Sequence, residues 1–468
     1  MKKNIVLPRP GIEAKTLIAI GLPVSIAQSV GMMTGLIDTA MLGSYSTVSL
    51  AAAGAAITIR QYFLLIAAGA SVGMQAAIAQ SRGRNERSAV AAIAGVGCIV
   101  LLAASLIAFV ALGFSQTHLL RFIGARGAVF DEAQVYLSIT LFTLLPMFAD
   151  AGFRGIATAH ERTRLMLYAA IAMFTVKVSV NYALIYGNFG FPRLGIRGAA
   201  IAEVAASFTE FFVLAAGVFI INRRMPVIAF TLRRWRAHAA SVFHLSSSTV
   251  IEWLLWSTGA FFITKFLLSY DPIHPALYNI TMRIQGIFLI VASGFARAVL
   301  SLTARDFGAG NMAAVRRWFS ASLRLSIGVM AVCAVVIIIA GPFALGLMAD
   351  PAAAHKAVPV TLLFVLSGIL IISRSVNIVT GSAIRSMGHA LYFSIMMLIA
   401  TILVAGSAFF LTEYFRFGVI GVLIAMTIDE LSRNAVNIGY FRMVTAARKI
   451  PAASRTLQRI SAYGKNMH

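Results

Sequence analysis

The sequence predicts an all-α polytopic membrane protein of twelve transmembrane helices in two pseudo-symmetric six-helix lobes. Three observations predict it. Of 468 residues, 59% are hydrophobic and only 12% charged, where a soluble domain carries roughly a quarter charged residues. Apolar runs of at least about 18 residues recur from one end to the other, each long enough to cross a bilayer. The two halves of the chain also repeat one another. Collagen-like, disordered and disulfide-stapled classes are excluded, and continuously apolar runs argue against a membrane β-barrel. Cys98 and Cys333 lie inside apolar runs without a surrounding motif and read as packing residues. Arg9, Glu13 and Lys15 precede the first apolar stretch, an order that does not predict a cleaved signal peptide.

Apolar windows ended by Gly, Pro or charge place the helices near 16–42, 48–80, 88–114, 131–157, 163–187 and 196–222 in the first half. In the second half they fall near 240–268, 274–304, 313–345, 357–384, 388–412 and 418–446. Several exceed the span minimum, which allows tilt. Charge tests this count. With twelve spans, twenty-four Lys and Arg fall on the side of both termini and six on the other. The positive-inside rule then predicts cytoplasmic termini in a multi-pass inner-membrane protein. Most of the net charge of +23 is thereby topology and predicts no nucleic-acid partner. The basic stretches 223–236 and 448–465 read as a solvated cytoplasmic face, with contact to anionic membrane lipids as the alternative.

An offset of 225 lays residues 45–85 over 270–310, matching Ser44-Tyr45 with Ser269-Tyr270, Phe63-Leu64 with Phe288-Leu289, Gly69 with Gly294 and Gly83 with Gly308. Each segment ends in a similar turn, RGRN at 82–85 and GAGN at 308–311. The repeat predicts an N-lobe at 1–221, a cytoplasmic basic linker at 222–239, a C-lobe at 240–447 and a basic tail at 448–468. Six spans return the chain to its starting side, so the repeats are parallel, a symmetry common among carriers. No phosphate-binding loop and no large hydrophilic segment is present, which excludes ATP-driven transport by this chain alone. Nor is there a recognisable catalytic His, Asp or Ser constellation, so the chain does not read as an enzyme. It predicts no cofactor beyond a coupling ion.

Gly35-Leu-Ile-Asp38-Thr-Ala-Met-Leu-Gly43, followed by Leu50-Ala-Ala-Ala-Gly54, resembles the first-helix signature of the multidrug and toxic compound extrusion (MATE) family. Asn181-Tyr-Ala-Leu-Ile-Tyr-Gly187, Gly198-Ala-Ala-Ile-Ala202, the Gly308–Asn311 turn and Gly381 to Gly388 agree in order along the chain. The resemblance implies a V-shaped pair of six-helix bundles, working as a monomer, that exports a small organic substrate in exchange for Na⁺ or H⁺. It is closer to the NorM-type branch, since Ile185 stands where the other branch carries an acidic residue.

Asp38 sits deep in the first helix, 15 residues after Pro23, whose missing N–H allows a kink. A lone carboxylate there costs roughly 2.5–3.5 kcal/mol on insertion scales, so it needs a partner or a watery cavity. The resemblance assigns Asp38 to the N-lobe ion site, together with Asn181 and the position of Glu203, usually Thr in the family. Lys177 lies one turn before Asn181 on the same helical face. Two pairings are open: Lys177 with Glu203, leaving Asp38 to titrate, or Lys177 with Asp38. In the C-lobe, Glu252 matches a cation-binding carboxylate of NorM-type members, and Trp256 one turn on could cradle an organic cation. Arg374 falls where the family supplies a second acidic residue. Asp38 and Glu252 are the candidate Na⁺ ligands, but Arg374 puts a C-lobe Na⁺ site in doubt and predicts a Glu252–Arg374 salt bridge, making protons the preferred coupling ion.

Nine Lys and Arg fall inside predicted spans. Asp150–Arg154 and Asp429–Arg433 read as structural pairs and Arg324 lies close enough to a helix end to snorkel, whereas neither account covers Arg60, Arg283, Arg297 and Arg374. Their guanidinium groups raise an alternative to drug export, an anionic or zwitterionic natural product as substrate. A flippase for lipid-linked precursors, from the same superfamily, is the other alternative.

Overall fold

The computed structural model describes residues 12–221, 235–270, 273–346, 354 and 356–446. Within them the chain forms twelve long helices: α1 Ile12–Tyr45, α2 Thr47–Gly83, α3 Arg87–Phe122, α4 Gly127–Ala159, α5 Arg164–Tyr186, α6 Ile196–Ile221, α7 Trp235–Tyr270, α8 Ile273–Gly308, α9 Met312–Gly346, α10 Val360–Ser386, α11 Ala390–Glu413 and α12 Gly418–Ala446. Eleven are long and apolar enough to cross a membrane. The twelfth, α12, carries Asp429, Glu430 and Arg433 within a single turn and a half, which lowers its hydropathy without ending the helix. Most of the predicted linker, 222–234, and the basic tail lie outside the described residues.

Local chemistry sets several boundaries. Ser46 caps α2, its hydroxyl accepting from the Ser49 amide at 3.3 Å, which satisfies one of the open N–H groups of the first turn. Gly187 ends α5 in the left-handed region at φ 78°, where an L side chain would be strained. Pro23 lies inside α1, and the helix continues through it. In contrast, α4 tightens to a 3-10 turn at Leu141–Thr143, just before Pro146. That turn presents Thr143, which accepts a hydrogen bond from Arg60 at 3.4 Å.

The chain divides into two compact units, Ile26–Val250 and Met1–Ser25 with Ile251–His468. Their boundaries are themselves 225 residues apart. The same offset relates two close helix approaches. In one unit Gly69 of α2 abuts Val250 of α7, where a Cβ would lie 2.5 Å from a Val250 methyl and 3.2 Å from its backbone nitrogen. In the other, Gly294 of α8 abuts α1, where a Cβ would lie 2.4 Å from the Gly21 carbonyl oxygen and 2.1 Å from Ser25 Oγ. The turns after α2 and α8 repeat as well: Asn85 (φ 60°) and Gly310 (φ 75°) occupy the left-handed region at equivalent positions. Backbone-to-backbone approach of this kind is how membrane helices pack where no hydrophobic driving force separates helix from lipid.

Candidate functional site

In the unit 26–250, four charged side chains from four helices converge. Asp38 comes from α1, Arg60 from α2, Lys177 from α5 and Glu203 from α6. Lys177 Nζ lies 3.2 Å from Asp38 Oδ1 and 2.8 Å from Glu203 Oε2, and it is 1% exposed. Arg60 Nη1 lies 2.5 Å from Glu203 Oε1 and 3.4 Å from Thr143 Oγ1, the residue presented by the 3-10 turn of α4. Asn181 Nδ2 donates to Asp38 Oδ1 at 2.7 Å. The α5–α6 pair can come this close because Gly198 faces Leu184, where a Cβ would sit 2.7 Å from the Leu184 carbonyl.

All four N-lobe residues singled out in the sequence are therefore brought together. Both pairings left open by the sequence are present at once, since Lys177 bridges the two carboxylates. Arg60, left unexplained by the sequence, is the second cation of the cluster. Two positive and two negative groups balance, which is how ionised side chains persist where water is scarce. Two buried polar atoms at the cluster, Asn181 Oδ1 and the Tyr136 hydroxyl, make no hydrogen bond.

In the other unit, the expected Glu252–Arg374 salt bridge does not form. Glu252 is ion-paired with Arg385, which also donates to Ser382 Oγ at 3.4 Å and lies 4.7 Å over the Phe393 ring. Arg374 turns to Glu430 of α12, its Nε 3.6 Å from Oε1, and donates from Nη1 to Gln285 Oε1 at 3.1 Å. The physical reason is competition. Arg385 comes from one end of α10 and takes the α7 carboxylate, while α12 supplies Arg374 with another. Glu430 also accepts from Arg433 at 2.9 Å and from Asn377 at 2.8 Å, and Asn377 in turn accepts from Asn437 at 3.0 Å.

Arg374, Glu430 and Arg433 line a cleft together with Trp256, Tyr278 and Asp429. Trp256 lines this cleft, whereas Glu252, expected to share its face there, is not among the lining residues. Glu430, Gln285 and Arg385 were missed by the sequence reading. Glu430 was visible as an intramembrane carboxylate, but its neighbour Asp429 already satisfied the i,i+4 pairing with Arg433. Among the described residues no group of three or more His, Cys, Asp and Glu gathers as a metal site.

Comparison with known proteins places this architecture. The MatE family model matches twice, over residues 23–183 and 249–410, once in each half of the chain. The probable multidrug resistance protein NorM of Thermotoga maritima is 24% identical over 440 residues, 91% of this chain and 92% of that protein. An outward-facing multidrug resistance MATE family transporter of the MOP superfamily superposes with a TM-score of 0.85 at 20% identity, covering 93% of this chain and 97% of that one. A MOP superfamily transporter from Pyrococcus furiosus, described as having a binding pocket of reverse polarity, gives 0.84 at 19% identity over 93% and 96%. Twelve long helices, eleven of them apolar enough to span a membrane, a charged cluster on α1, α2, α5 and α6, and a family match across both halves lead to one identity: the chain belongs to the multidrug and toxic compound extrusion family of membrane transporters.

Proposed function

We propose that the chain is a secondary active exporter of small organic molecules, driven by a proton gradient and coupled at the Asp38–Lys177–Glu203 cluster. The observation that supports this reading is the position of Lys177. Its ammonium stands 3.2 and 2.8 Å from the two carboxylates, in the place a bound metal cation would take. A hard cation needs several oxygen ligands at once. Here it would first have to expel a tethered ammonium. A proton needs no such space. Arriving at Asp38, it removes one carboxylate charge, leaves Lys177 to Glu203 and weakens the tie between α1 and α5.

That weakening is a differential interaction between two states, the condition for an ion to shift a conformational equilibrium. Pro23, within the same α1, supplies the position at which the helix bends during the cycle. The lysine and arginine asymmetry supports cytoplasmic termini in the inner membrane, with one chain sufficient for transport.

Proteoliposomes under separately imposed gradients test the reading. Export is expected with a pH gradient in sodium-free buffer. Undiminished export driven by Na⁺ alone, with no pH difference, would overturn proton coupling.

A further inference from the structure

We propose that the cleft between α7, α8, α10, α11 and α12 binds a small aromatic carboxylate, gripped at its oxygens by Arg374. Arg374 is short of hydrogen-bond acceptors. A guanidinium has five N–H donors and no acceptor. Arg374 is 7% exposed, so water does not serve them freely. One oxygen stands at a full hydrogen-bond distance, Gln285 Oε1 at 3.1 Å from Nη1. The remaining contacts of the terminal nitrogens are thioethers, Met282 Sδ at 3.5 Å from Nη1 and Met426 Sδ at 3.9 Å from Nη2. Sulfur of this kind is a weak acceptor.

The carboxylate of Glu430 does not make up the difference. It lies 3.6 Å from Arg374 Nε, while Arg433 and Asn377 hold it at 2.9 and 2.8 Å. Arg433 is better served, since Asp429 lies 2.5 Å from its Nη2 and accepts from its Nε at 2.8 Å. Arg433 thus has two carboxylates within hydrogen-bonding distance, although its Nη1 also meets a thioether, Met397 Sδ at 3.4 Å, whereas Arg374 has one amide oxygen at that range. A carboxylate offers two oxygens in the geometry that a guanidinium fork takes up in parallel, the strongest pairing available to either group.

The walls identify the rest of the ligand. Trp256, Tyr278, Ile263 and Val404 give an aromatic and aliphatic surface, the kind of lining that small-molecule sites present around a few polar groups. An aromatic ring fits that lining while its acid group reaches Arg374. The same cleft is poorly built for an organic cation. Both its carboxylates already face arginines, so a cation would have to displace one of them.

This inference rests on the exporter reading, and equilibrium binding in the absence of any gradient tests it separately. Purified full-length protein in detergent is titrated with 1-naphthylacetate and with 1-naphthylethylamine, which share a ring and differ in charge. The acid is expected to bind at least tenfold more tightly than the amine. Arg374→Met should erase that preference, Arg374→Lys should reduce it, and Trp256→Ala should weaken both probes alike. Equal or tighter binding of the amine to the wild-type protein would overturn the proposal without recourse to any variant. So would an Arg374→Met protein that keeps the preference, or displacement of the acid by short-chain phosphatidylglycerol, which would give the site to a lipid headgroup. Failure of a pH gradient to drive export would leave the cleft assignment standing.

Discussion

Glu252 on α7 is ion-paired with Arg385 in the last turn of α10, eleven residues beyond Arg374 on the same helix. The pairing is testable by comparing two double-mutant cycles on thermal stability. Glu252→Gln with Arg385→Met should be non-additive by about 1–3 kcal/mol, the range for residues in direct contact. Glu252→Gln with Arg374→Met should add to within about 0.5 kcal/mol. Coupling in the second cycle and none in the first would contradict the geometry.

Asp38→Asn should abolish gradient-driven export while leaving folded protein in the membrane. The amide keeps the shape of the side chain and can still meet Asn181, but it cannot release or take a proton near neutral pH. Export rates in proteoliposomes, normalised to reconstituted protein, check the first part, and size-exclusion behaviour in detergent checks the second. Wild-type rates would remove Asp38 from the mechanism.

Lys177→Met should leave Arg60 alone to neutralise Asp38 and Glu203. Breaking a buried pair by deleting one partner costs about 3–5 kcal/mol, because the surviving charge loses its compensation. Adding Glu203→Gln restores the balance, since Arg60 can then serve Asp38 as the remaining charge of the cluster. The double variant should therefore melt well above the single one.

Two glycines on α8 should respond to alanine with opposite signs. At Gly294 the new methyl would meet the Gly21 carbonyl oxygen at 2.4 Å, so Gly294→Ala should destabilise by about 1–3 kcal/mol, as overpacking does. At Gly286 nothing lies within 4 Å, and alanine there should stabilise the helix by about 0.5–1 kcal/mol. Melting temperatures of the two variants decide it.

The twelve helices were legible because eleven of them carry a predominantly apolar stretch long enough to span, a signal that needs no knowledge of its neighbours, and α12 keeps an apolar run ahead of Asp429. The N-lobe cluster was half legible. Asp38, Lys177, Asn181 and Glu203 stood out as polar residues where lipid should be, yet the partner of Arg60 lies 143 residues further on, and spacing along one helix says nothing about such a pair. Arg385 was lost for a different reason. At the end of α10 it reads as a loop charge, and only its burial, at 8% exposure, shows that it points inward. Glu430 was hidden by a neighbour that already explained the local pattern.

The cluster of Asp38, Arg60, Lys177 and Glu203 sums to zero, and this bears on how the membrane potential acts on the cycle. Moving one elementary charge through the full field is worth about 2.3 kcal/mol per 100 mV. A solitary carboxylate on α1 would make every reorientation of the empty carrier a voltage-dependent step. With its charges balanced inside the cluster, the empty carrier can reorient there without electrical work. In the proton-coupled cycle proposed above, a bound proton gives the cluster one positive unit, so an interior-negative voltage would act on the loaded step alone and pull it inward.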